Sequence, residues 1–171
     1  MKKLNIFIEG IQGSGKSTLL GALAERLDGF RAWREGDVNP LELAWCAYMT
    51  PSQYARALED MPAHREDVES HTERQGERYV TAYTQVRTDD WPFYQYMEKL
   101  EIYSGRRTPE EFTGIILERF EGFRSTGCIF ECAFLQNIVE ELMLYAPYSD
   151  EQIVDFYRRL ISRLDLEISR R

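Results

Sequence analysis

The chain has 171 residues, with 21 lysines and arginines against 29 aspartates and glutamates. Its length suits one domain whose core needs no disulfide or metal, and its 43% apolar content is too high for a disordered chain. The net charge of −8 argues against general nucleic-acid binding, because phosphate backbones are repelled. A small anionic ligand would need a site where positive potential is built locally.

Cysteine usage and the N-terminus indicate the compartment. The three cysteines, Cys46, Cys128 and Cys132, lack the paired pattern of a secreted disulfide framework. A zinc site is not expected, because zinc is usually bound by cysteine and histidine and the chain has only two histidines. No apolar run approaches the ~18 residues of a membrane span, and the N-terminus reaches charge too early for a signal peptide. We therefore expect a cytoplasmic protein that does not bind membranes.

The first part of the chain alternates between strand and helix patterns. Residues 4–9 predict a buried strand, and residues 30–34 predict a second, short one. Between them, apolar residues recur at helical spacing over 16–27, and Gly29 follows as a helix stop. This order is typical of an α/β fold with a mostly parallel sheet.

The middle of the chain, residues 41–123, is expected to be mainly helical. Thr50-Pro51-Ser52-Gln53 and Thr108-Pro109-Glu110-Glu111 are both capping boxes with proline at the first helical position. The charged segment 59–78 is interpreted as a solvated helix face and loop. The aromatic residues Tyr83, Trp91, Tyr94 and Tyr96 are expected to pack in the core between helices. The alternative is that they line a ligand pocket.

The last part of the chain returns to the strand and helix alternation. Residues 128–132 predict a third buried strand, and residues 138–145 predict a helix. A third capping box, Ser149-Asp150-Glu151-Gln152, begins another helix with a clear apolar stripe.

The most informative motif is Gly10-Ile11-Gln12-Gly13-Ser14-Gly15-Lys16-Ser17-Thr18, which matches G-x-x-x-x-G-K-[ST] between a predicted strand and a predicted helix. Its glycines let backbone N–H groups turn toward a phosphate, and the helix N-terminus adds positive potential. Lys16 suits the β- and γ-phosphates, and the Ser17 hydroxyl suits Mg²⁺. We expect ATP and Mg²⁺ to bind here. A GTPase is less favoured, since no Asn-Lys-x-Asp motif and no clear DxxG switch is found, and the motif itself does not separate ATP from GTP.

The segment from Phe7 to Thr18, with Glu9-Gly10 entering the loop, resembles the start of the thymidylate kinase and deoxynucleoside kinase group. Trp33-Arg34-Glu35-Gly36 is similar to the Arg-Glu-Pro-Gly of thymidylate kinases and to the strand-ending glutamate of deoxynucleoside kinases. The resemblance implies a P-loop NTPase fold of three α/β/α layers. It also implies that residues 1–171 form one kinase-like domain, in which the helical residues 41–123 lie on the side that binds the phosphate acceptor.

The same resemblance implies that Glu35 is the general base for the acceptor hydroxyl. An independent argument agrees, because a carboxylate at the C-terminal end of a strand faces the ligand crevice of an α/β sheet. A surface carboxylate is the alternative. Glu131 lies where the group has the carboxylate of Glu-Arg-Ser or Asp-Arg-Tyr, which implies a role in orienting Mg²⁺. Cys132 replaces the arginine of that pattern, which in the group contacts the acceptor and the transferring phosphate.

Other residues are candidates for the acceptor side. Deoxynucleoside kinases place a base-reading glutamine and a nearby arginine in the region of Gln85 and Arg87. Arg106 and Arg107 are basic groups that could substitute for the missing arginine, because a planar guanidinium suits phosphate. Exposed helix and loop positions are the alternative for all the arginines.

The resemblance also implies a fourth strand and an arginine-rich lid after the last helix, whereas the chain ends at residues 166–171. We expect either a truncated form or an open sheet edge that terminal residues or a second copy, as in a homodimer, would cover. The predicted function is ATP-dependent phosphotransfer to a nucleoside, a nucleotide or a related small hydroxyl compound. A kinase for a non-nucleoside acceptor and a nucleotide-binding regulatory module without phosphotransfer are the alternatives.

Overall fold

Six strands and seven helices follow one another along residues 4–163, the part of the chain that this computed structural model describes. The strands are β1 (Ile6–Ile8), β2 (Arg31–Trp33), β3 (Ala47–Met49), β4 (Thr72–Gln75), β5 (Arg78–Thr81) and β6 (Cys128–Glu131). The helices are α1 (Lys16–Arg26), α2 (Pro51–Asp60), α3 (Arg65–Ser70), α4 (Trp91–Glu98), α5 (Pro109–Gly122), α6 (Gln136–Leu144) and α7 (Asp150–Arg163). The predicted tail at 166–171 lies outside the described residues.

The three predicted strands form one parallel sheet in the order β1-β6-β2, which confirms an α/β fold. Alternate residues of its central strand face opposite sides, as strand geometry requires. Ile129 packs with Ile8 and with Leu20 of α1 on one face. Phe130 packs on the other face, in a core to which α5, α6 and α7 contribute. Helices therefore cover both faces of this sheet.

The middle region differs from the expectation of a mainly helical segment. It contains α2 to α5 but also a second, antiparallel sheet in the order β3-β5-β4. The segment 59–78 is helical up to Ser70, in agreement with its interpretation as helix and loop, but β4 and the first residue of β5 occupy part of its end. A two-residue turn joins them, with Gly76 at φ 60°. A separate core, built on Met49, Phe93 and Met97 among others, packs beside this sheet.

The structure confirms the three helix starts that the capping boxes predict. Hydrogen bonds between the side chains and the backbone complete the capping boxes that begin at Thr50, Thr108 and Ser149. Of the four aromatic residues, Tyr83 is buried while Trp91 is largely exposed. All three cysteines are buried free thiols. Within the described residues, no helix is long and apolar enough to cross a membrane.

Candidate functional site

The glycine-rich segment connects β1 to α1. Gly13 and Gly15 have φ of 78° and 87°, a region that L side chains rarely adopt, and this explains glycine at both positions. Gly15 is the N-cap of α1, and no side chain from residues 4–163 caps that helix end. The first N–H groups of a helix have no intrahelical acceptor, so this end of α1 suits an anion.

Lys16 and Ser17 are the first two residues of α1. The Lys16 side chain contacts the loop, and the Ser17 side chain contacts the end of β6. The Lys16 side chain is 9% exposed, and its Nζ donates to the carbonyl oxygens of Gly10 and Ile11 at 3.0 Å each. Ser17 Oγ donates to Glu131 Oε1 over 2.5 Å. This hydroxyl and carboxylate pair fits Mg²⁺, which takes oxygen ligands and usually keeps a few protein groups beside phosphate oxygens and water.

Glu35 follows β2 and is held by two donors from different parts of the chain. Its Oε1 accepts from Trp45 Nε1 at 3.2 Å and from Asn137 Nδ2 at 3.1 Å. Asn137 belongs to α6, which follows the strand that carries Glu131. The two carboxylates therefore lie at the same edge of the parallel sheet, beyond the carboxyl ends of its strands, where α/β proteins bind ligands.

Cys132 follows Glu131 and has φ of 57°, in the left-handed region. Burial, followed by the negative charge of Glu35, raises the pKa of its thiol to about 12. Glu9 and Glu131 also raise this pKa and Lys16 lowers it, so all four charged side chains act on the same sulfur. A neutral, buried thiol thus directly follows Glu131.

Glu9 has a structural role that the sequence reasoning missed. Its carboxylate follows β1 and accepts from the backbone N–H groups of Phe134, Leu135 and Gln136 at 2.8–3.1 Å. These groups lie at the start of α6, which has no side-chain cap from its own N-cap residue. The available signal was an apolar residue, Leu135, at a position where most helices carry a capping residue.

A cavity of about 260 Å³ lies next to Glu35. The two residues that donate to the Glu35 carboxylate, Trp45 and Asn137, form part of its wall. Two of its residues, Trp45 and Ser104, are non-glycine residues with positive φ, a conformation that concentrates at functional sites. The remaining lining residues are Ala44, Glu101, Tyr103, Glu140, Glu141 and Tyr145.

The predicted acceptor residues are not brought together in this cavity. Gln85 donates to the Gly36 carbonyl at 3.2 Å and to Asp37 Oδ1 at 2.8 Å, so it contacts the two residues that follow Glu35 but does not line the cavity. The Arg87 side chain is exposed. Arg106 is ion-paired with Glu98, and Arg107 Nη2 donates to the Tyr48 carbonyl at 3.4 Å.

The sequence matches no protein-family model, and comparisons with curated proteins and with solved structures gave no match. The interpretation of the site therefore depends on its own geometry and chemistry.

Proposed function

We propose that the protein is an ATP-dependent phosphotransferase that moves the γ-phosphate to a small hydroxyl compound, a nucleoside, a nucleotide or a related molecule. The observation that carries this proposal is the Ser17–Glu131 hydrogen bond at the uncapped start of α1. It brings the two oxygen ligands expected for Mg²⁺ next to the helix end expected for phosphates. A P-loop NTPase fold of three layers is part of the proposal.

Each group then has a defined task. The N–H groups of residues 13–18 bind the ATP phosphates, and Lys16 Nζ exchanges its two carbonyl acceptors for β- and γ-phosphate oxygens. Ser17 and Glu131 would hold Mg²⁺, which would neutralise phosphate charge when bound. The acceptor oxygen attacks the γ-phosphorus, the bond to the ADP oxygen breaks, and Glu35 takes the hydroxyl proton. Trp45 and Asn137 orient Glu35 for this step.

Replacing Lys16 by alanine tests nucleotide binding. Loss of charged hydrogen bonds to two phosphates should weaken ATP binding at least about tenfold, measured by calorimetry on a folded variant. Lys99→Ala is the matched control, because Lys99 is an exposed lysine at the end of α4. If Lys16→Ala bound ATP as tightly as Lys99→Ala, the assignment of the loop would be wrong.

Replacing Glu35 by glutamine separates chemistry from nucleotide binding. The amide keeps an oxygen for Trp45 and Asn137 but no longer accepts a proton, so kcat should fall by about 10² or more. ATP affinity should change little. Equal losses in kcat and in ATP affinity would identify Glu35 as a structural residue.

A nucleotide-binding regulatory module is the second candidate, and Cys132 is the observation that favours it. The neutral thiol supplies no positive charge for a transferring phosphate. ATP binding without ADP formation, across acceptors that include neutral, anionic and cationic hydroxyl compounds, would support the module and contradict the kinase.

A further inference from the structure

The cavity beside Glu35 carries information on the acceptor, and this inference rests on the proposed function. We propose that the acceptor is a small hydroxyl compound that carries a cationic amine. The cavity is adjacent to the proposed base, since Trp45 and Asn137 belong to its wall and also donate to Glu35. A molecule in it can therefore present a hydroxyl group on the Glu35 side.

The charge of the wall favours a cation. Three of the nine lining residues are glutamates, and none of the nine is a lysine or arginine. Glu101 is 4% exposed, and one of its oxygens accepts from the Tyr83 hydroxyl. Glu141 accepts from the backbone N–H groups of Ser104 and Gly105, whereas Glu140 is exposed. A phosphorylated acceptor in this cavity would face these glutamates, and no lysine or arginine of the lining would offset them.

Arg106 does not reverse this charge. It acts electrostatically on Glu101, but its guanidinium is ion-paired with Glu98. The charge of the cavity wall is therefore negative, as is the net charge of the whole chain, whereas the proposed phosphate-binding end of α1 has positive potential.

The aromatic part of the wall provides a second, independent indication. Trp45 is 52% exposed, and Tyr145 is half-exposed beside it in the lining. Ring faces attract ammonium groups, and the tryptophan ring does so most strongly.

The volume limits the size of the acceptor. Pockets for drug-sized ligands measure about 300–1,000 Å³, and this cavity measures about 260 Å³. An amino alcohol or an amino monosaccharide fits this scale better than a nucleotide does. Its amine would lie at Glu101 and Glu140, with its hydroxyl toward Glu35.

Matched acceptor pairs test the proposal. ADP release is measured with ethanolamine against ethylene glycol, with glucosamine against glucose, and with thymidine and thymidine monophosphate as the nucleoside and nucleotide acceptors. We expect kcat/KM to be at least about tenfold higher for the amine of each pair, since a desolvated charge pair is worth that much. Calorimetry with a non-hydrolysable ATP analogue measures acceptor binding independently of transfer.

Two variants assign the effect to the cavity. Glu140→Gln should raise KM for the preferred amine about twofold to fivefold at unchanged kcat, as expected for an exposed ion pair. Glu118→Gln is the matched control, because Glu118 is exposed on α5 and the substitution removes the same charge. Glucose and ethylene glycol should show no difference between the two variants.

The outcomes separate this inference from the proposed function. ADP formation that prefers thymidine, its monophosphate or the neutral partner of a pair would support the kinase and overturn the cationic acceptor. Equal effects of Glu140→Gln and Glu118→Gln would also overturn it. Amine binding in calorimetry with no ADP formation would leave the cavity assignment in place and contradict the kinase.

Discussion

At the scale of single residues, Glu42 makes the folded state sensitive to pH. It is 1% exposed, its Oε1 accepts from the Ala44 N–H at 2.6 Å, and the Tyr103 hydroxyl favours its charged form. Burial raises its pKa from 4.5 to about 7. Burial raises the pKa of Glu101 to about 7 as well. The folded protein therefore binds more protons than the unfolded chain between these values, and its stability falls as pH rises through them.

Replacing Glu42 by glutamine should remove part of this pH dependence. The loss of unfolding free energy between pH 5.5 and pH 8 should shrink by about 2 kcal/mol, the value for a group with this shift. The part of this loss of unfolding free energy that comes from Glu101 should remain. Urea unfolding at the two pH values measures the effect, with Glu118→Gln as the control. An unchanged difference between the two pH values would contradict the assignment.

Residues of the site were predictable to different degrees. The loop from Gly10 to Thr18 follows from a local pattern, and its spacing places Ser17 at the start of α1. The Ser17–Glu131 contact also follows from topology, because parallel strands end at the same edge of a sheet. The Glu35 contacts with Trp45 and Asn137 depend on loop and helix positions that no local pattern specifies.

At the scale of elements, the same distinction separates capping boxes from the second sheet. Each box is a contact between residues three apart, so the sequence predicts it directly. The hairpin of β4 and β5 carried a signal too, a two-residue turn at Gly76-Glu77 before Tyr79-Val80-Thr81. Dense charge on β4 obscured it, because Glu73 and Arg74 are exposed, and β5 also pairs with β3, which is distant in the sequence.

Glu9 is expected to stabilise α6 from outside that helix. Glu9→Ala removes three charge-assisted hydrogen bonds at a helix N-terminus and should lower the unfolding free energy by about 2 kcal/mol. Because α6 carries Asn137, which contacts Glu35, the variant should also reduce phosphotransfer at temperatures where it is folded.

Thr50→Ala is the matched control, since it removes the cap of α2. It should lower stability by about 1 kcal/mol and leave phosphotransfer unchanged. Thermal unfolding and steady-state ADP release measure the two effects. If the two variants lost stability but both retained full activity, Glu9 would be a helix cap with no influence on the site.

At the scale of the whole molecule, a net charge of −8 surrounds two sites of opposite preference. The start of α1 with Lys16 is the proposed anion site, and the cavity beside Glu35 has an acidic wall. The global charge should slow the approach of MgATP and speed the approach of a cationic acceptor, because the field of the whole protein acts before contact.

Ionic strength should therefore act on the two ligands in opposite directions. Raising it from 0.01 M to 0.1 M shortens the screening length from about 30 Å to about 10 Å. Stopped-flow binding of a fluorescent ATP analogue with Mg²⁺ should show a faster association at the higher salt, since repulsion is screened. KM for ethanolamine or glucosamine should rise over the same range, while KM for glucose, which carries no charge, should stay constant.

A slower nucleotide association at high salt would show that Lys16 and the helix end dominate the approach of ATP. An amine KM that did not respond to salt would contradict a carboxylate-lined acceptor site.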